Sequence, residues 1–141
     1  MSEVKYLAHF RESDQTEQDL WEHLCNVGCL SSAFAGKIGL VEIGRLLGLL
    51  HDLGKGTQEF DTYIRTAVGL LDGHAKVNEV KVDHSTAGAQ YLHSTLSETY
   101  GSSSLAAQIM SLIVASHHSG LIDCISPDGY DRFSQRMAKD K

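Results

Sequence analysis

Strand-like alternation is missing from this chain, and so are long apolar runs. No stretch reaches the roughly 18 apolar residues that a membrane-spanning helix needs, so a membrane role is not expected. Residues 1–10 are mixed and charged, with no apolar signal core. Cysteine is sparse and odd in number. Cys25 and Cys29 share one helical face without a second pair to complete a zinc site, and Cys124 stands alone. Free thiols of this kind suit a reducing, cytoplasmic setting, which is the expected location. The single proline, Pro127, falls in the stretch Gly120–Gly129, which reads as loop. Cationic excess is also absent. The formal net charge of −6 argues against a broad nucleic-acid-binding surface. It does not exclude an enzyme of nucleic acids, because bound divalent ions would supply positive charge where a phosphate sits. A GxxxxGK[ST] loop is missing too, which excludes ATP hydrolysis by that route.

What is present reads as helix throughout. A hydrophobic share of 42% in 141 residues is enough for one core, and one all-α domain over residues 1–141 is expected, with five to six helices. The pair Asp14 and Glu17 resembles a capping box ahead of a helix over Glu17–Phe34, with an apolar stripe of Leu20, Trp21, Leu24, Cys25 and Val27. Gly36 and Gly39 break it. A very apolar helix follows from Val41 to Leu53, with Gly54 as its stop. Thr57 caps a third, with Phe60, Ile64, Ala67, Val68 and Leu71 inward. Residues 72–82 read as a polar connection. Asp83 or Ser85 starts a fourth helix, Thr86–Thr99. The loop ending at Ser104 caps a fifth, Leu105–His118, with Ile109, Leu112, Ile113 and Ala115 inward. Tyr130–Lys139 forms a short last helix.

The chemistry sits in the histidines. His51 and Asp52 are consecutive in Leu50-His51-Asp52-Leu53-Gly54-Lys55. Successive helical residues point about 100° apart, so such a dyad reaches two neighbouring positions, and a carboxylate has two oxygens with which to bridge two cations. Around it stand His23, His84 and the pair His117-His118. Each alone is more often an ordinary helix-end or surface residue. Five imidazoles and one carboxylate at helix ends and flanks are together nearly enough for two metal ions, with Asp52 bridging. This nitrogen-rich set favours Mn, Fe, Co or Ni over Mg or Ca. Lys55, three residues after Asp52, is expected beside the same site, in contact with a scissile phosphate. His74 and His93 have polar surroundings and read as surface residues. His9, in Ala8-His9-Phe10, is left open.

These residues resemble the HD superfamily of metal-dependent phosphohydrolases. More closely, they resemble the HD nuclease domain of the CRISPR-associated nuclease-helicase of type I systems. Leu7-Ala8-His9, Trp21-Glu22-His23-Leu24, His51-Asp52-Leu53-Gly54-Lys55, Asp83-His84-Ser85 with Gly88, and Ser116-His117-His118-Ser119-Gly120-Leu121 carry the likeness across nearly the whole chain. The HD dyad is shared by the superfamily. The later DHS and SHHSGL elements are the discriminating ones.

The resemblance implies an HD helical bundle and two-metal hydrolysis of single-stranded DNA, with a helicase domain or subunit and a CRISPR surveillance complex as partners. It places His23, His51 and Asp52 on the first metal, and Asp52, His84, His117 and His118 on the second. Asp52 and Lys55 carry the catalytic roles. The family uses a further aspartate on the first metal, and no position here matches it; Asp123, Asp128 and Asp131 are nearby carboxylates in unfamiliar context. The family domain is also longer. The expectation is therefore a C-terminally cut domain, with a weak first site, low activity and a tendency to self-associate. Two other readings stand beside this one. The first is a small-molecule HD phosphohydrolase acting on nucleotides or cyclic nucleotides, although the Gly-Tyr-Pro signature of HD-GYP enzymes is missing. The second is a non-catalytic HD binding module.

Overall fold

The computed structural model describes residues 5–71, 82–101 and 104–139. His74 and most of the 72–82 connection lie outside them. The described residues contain six α-helices and one two-stranded sheet, so the molecule is predominantly helical. Two compact units divide at His84, Met1–His84 and Ser85–Lys141.

The first unit opens with a hairpin that the sequence reading lacked. Strand β1 (Leu7–Arg11) pairs antiparallel with β2 (Thr16–Asp19), with a register irregularity between Leu7 and His9. Helix α1 (Leu20–Ala35) therefore begins later than expected. Its cap is Asp19, whose carboxylate accepts from the Trp21 and Glu22 amides, whereas Asp14 pairs with Arg11 across the hairpin turn. Asp19-x-x-Glu22 repeats the capping pattern of Asp14-x-x-Glu17, and pairing of residues 16–19 with β1 decides between them. Leu20, Leu24 and Ala8 form a small core cluster with Tyr6 and Leu49 against it. Trp21, expected in the stripe, is exposed.

Helix α1 ends at Gly36 in a short 3₁₀ turn, and Gly39 takes a left-handed φ of 78°. Helix α2 (Val41–Leu50) returns along α1. The two backbones nearly touch. A Cβ on Gly48 would lie 2.7 Å from the Gly28 Cα, so only glycine fits at this crossing. Helix α2 stops three residues earlier than expected. His51 ends it, and residues Leu53–Gly56 form a 3₁₀ turn. Thr57 caps α3 (Gln58–Ala67) as expected, accepting from the Phe60 amide. The inward face of α3 is narrower than the sequence suggested. Phe60 and Asp61 are buried, Ile64 and Val68 half-buried, and Ala67 and Leu71 exposed.

In the second unit α4 (Ser85–Tyr100) packs on α5 (Leu105–Ser116), which Ser104 caps as expected. The buried residues of α5 are Ala107, Met110, Ser111, Val114, Ala115 and Ser116. Ile109 and Ile113 are exposed and Leu112 only half-buried, so the helix is turned by about one residue from the expected face. Helix α6 (Arg132–Met137) is capped by Asp131. It is tied to α4 by Arg136, which donates to Ser85 Oγ and Thr86 Oγ1. Among the described residues no helix is long and apolar enough to cross a membrane.

Candidate metal centre

Asp52 lies where α2 gives way to the 3₁₀ turn, and it is 2% exposed. A carboxylate this deep needs partners. Its Oδ2 is 3.3 Å from His23 Nε2, 3.3 Å from His51 Nε2 and 2.9 Å from Lys55 Nζ. Its Oδ1 faces elsewhere, 3.5 Å from His84 Nε2. The two oxygens thus serve different imidazoles.

The first group closes into a triangle, because His23 Nε2 and His51 Nε2 are 3.2 Å apart. Donor atoms bound at about 2.1 Å in tetrahedral or octahedral geometry sit about 3.0–3.4 Å from one another. The edges of this triangle match that spacing, so two imidazoles and a carboxylate fit one divalent cation.

Backbone carbonyls select the imidazole edges. A carbonyl can only accept, so His51 Nδ1 donates to Gly48 O at 2.7 Å and presents Nε2 to Asp52. His84 repeats the arrangement, with Nδ1 donating to Val82 O at 3.2 Å. The local cause is helix termination. The last turn of α2 exposes the Gly48 carbonyl to the ring three residues on. Gly54 has a part in placing His84. A Cβ there would lie 2.7 Å from the His84 Cα, so the glycine admits that backbone. Its role is this close approach, rather than the left-handed helix stop that the sequence suggested.

Burial comes first in lowering the His23 pKa to about 4, with help from neighbouring His9 and His51. Burial also opposes the charged form of His51, but the hydrogen bond and charge of Asp52 override it and hold its pKa above the ordinary value.

Lys55 lies beside Asp52 as expected, and its side chain is buried. The 3₁₀ turn carries it inward, 3% exposed. Its ammonium donates to Asp52 Oδ2, to the Ala8 carbonyl at 3.0 Å and to His9 Nε2 at 3.3 Å. Its three donors meet three acceptors, so in this structure it is the counter-cation of Asp52.

His117 and His118 close α5 in the second unit, with ring centroids 4.0 Å apart. His117 Nδ1 donates to Val114 O at 2.7 Å, which orients its ring as Gly48 orients His51. Of the nearby carboxylates, Asp128 accepts from Ser126 Oγ and Asp131 caps α6. His93 packs edge-on against Phe133.

His9, which the sequence leaves open, is brought near the triangle by the structure. One potential ligand atom each from His9, His23 and Asp52 lies within 4.8 Å of the others. The available signal was Leu7-Ala8-His9 itself, a short strand whose first two residues are buried.

A comparison with curated proteins finds no match. A model of the HD domain matches residues 20–133, a span that runs from the first residue of α1 into α6 and contains every ligand candidate except His9. With a His-Asp cluster able to hold a divalent cation in a mostly helical chain, that match places the protein in the HD domain family, whose members are generally metal-dependent hydrolases.

Proposed function

We propose that this chain is a two-metal phosphodiesterase that cuts single-stranded DNA in CRISPR interference, working with a helicase domain or subunit. The observation that carries the two-metal part is the division of Asp52, with Oδ2 turned to His23 and His51 and Oδ1 turned to His84. A carboxylate so placed is suited to bridge two cations. The choice of DNA and of partner rests on the sequence likeness in the DHS and SHHSGL elements, which also assigns His117 and His118 to the second ion.

Divalent cations at these positions supply Lewis acidity toward a phosphate and lower the pKa of a water nucleophile. The protein's own contribution is orientation. Carbonyls fix the rings of His51 and His84, and Lys55 pairs with Asp52 and aims its carboxylate. The donor set favours Mn, Fe, Co or Ni.

The test is cleavage of a labelled single strand, a duplex and a cyclic dinucleotide by protein loaded with Mn, Co, Ni or Mg. Single-strand cleavage with Mn, Co or Ni, poor with Mg and abolished by Asp52→Asn, is the expected result. Turnover of the cyclic dinucleotide alone would move the protein to the small-molecule class. Metal binding without turnover of any substrate would favour a binding module.

A further inference from the structure

The hairpin places a histidine at the first-cation triangle. The strand that carries it is fixed at three points. Leu20 N donates to Tyr6 O at 2.9 Å, Leu7 N donates to buried Asp61 Oδ1 at 2.9 Å, and Lys55 donates to Ala8 O. The register irregularity between Leu7 and His9 falls just before the ring, and such irregularities re-aim side chains. The His9 ring stands edge-on to His23, with centroids 4.6 Å apart. An ammonium can only donate, so His9 Nε2 meets Lys55 with its lone pair. That nitrogen is already in the form that a cation takes.

We propose that His9 is a further protein ligand of the first cation, completing a set of three imidazoles and one carboxylate. This inference rests on the metal-binding reading above. The exposed ring has only to turn toward donors already within 4.8 Å to approach the roughly 3 Å spacing of neighbouring ligands. Lys55 keeps Asp52 and the Ala8 carbonyl as acceptors when His9 turns away. His9 then supplies locally the fourth contact for which the sequence offered no aspartate.

The experiment titrates Co(II) into the 141-residue chain, followed by calorimetry and by the visible ligand-field bands. Wild type is compared with His9→Ala, His9→Asp and His84→Ala. His9→Ala is expected to weaken one Co(II) site by about tenfold or more and to change its bands. His9→Asp, which keeps a donor, is expected to lose less, and His84→Ala is expected to affect the other site. If His9→Ala does not fold, His9→Gln carries the same comparison. Unchanged affinity and unchanged bands in the His9 variants would overturn the assignment while leaving the two-metal reading intact. A wild-type chain that binds no Co(II) would instead overturn the reading on which the assignment rests.

Discussion

Lys55 and Asp52 form a buried ion pair whose geometry sets the behaviour of both. Removing one partner of such a pair leaves an uncompensated charge in the interior, at a cost of about 3 kcal/mol or more. Lys55→Met is therefore expected to destabilise the metal-free protein strongly in urea denaturation. Added Mn should restore part of that loss, because a cation can take over compensation of Asp52. A lysine used only for phosphate contact would show neither effect. Gly54→Ala tests the neighbouring residue. The added methyl meets the His84 backbone, so it should lower the thermal midpoint and weaken the cation held by His84, with the His23–His51 cation less affected. The residues of the dyad were legible in the sequence because their chemistry is local. The direction of Lys55 was not, because it depends on a 3₁₀ turn after Asp52 and on acceptors about 46 residues earlier in the chain.

Helices were readable where caps and breaks are unambiguous, as at Thr57, Ser104 and the Gly36–Gly39 break. The hairpin was hidden for a physical reason. Its strands are five and four residues long and only Leu7 and Ala8 are buried, so they show no alternation. Only long-range pairing with β1 tells that Asp19, and not Asp14, starts α1. Replacing Asp19 by Ala should cost about 1 kcal/mol of stability, whereas Asp14→Ala should cost much less, because its pairing with Arg11 is exposed. Chemical denaturation of the two variants checks this. On α5 Ala115 is buried as expected, but Ile109 and Ile113 are exposed; they pointed to the wrong face because they are more apolar than the Ala107 and Ser111 that pack inside. Small residues mark a close helix contact better there than hydrophobicity does.

At the scale of the molecule, the histidines make stability depend on pH in both directions. His23 has a folded pKa of about 4 against an ordinary 6.5, so the fold prefers its neutral form. That contribution is present above 6.5 and is lost as pH falls toward about 4. His9, lowered chiefly by burial and then by Lys55, acts in the same sense. His51 has the opposite sign. Its contribution is full below 6.5 and is lost as pH rises through its raised folded value. Urea midpoints of the metal-free protein should therefore fall on acidification below 6.5 and decline more gently above it. Mn affinity should keep rising with pH beyond the ordinary histidine range, since the ion displaces the His51 proton. The glycine crossing of α1 and α2 has a consequence for which ion the molecule prefers. His23 stands five residues before Gly28 and His51 three after Gly48, so the span between their rings is gauged by two backbones in contact. A methyl at Gly48 has no room at the present spacing, so α1 and α2 would have to part around it like jaws around a shim, shifting selectivity from the smaller Ni toward the larger Mn.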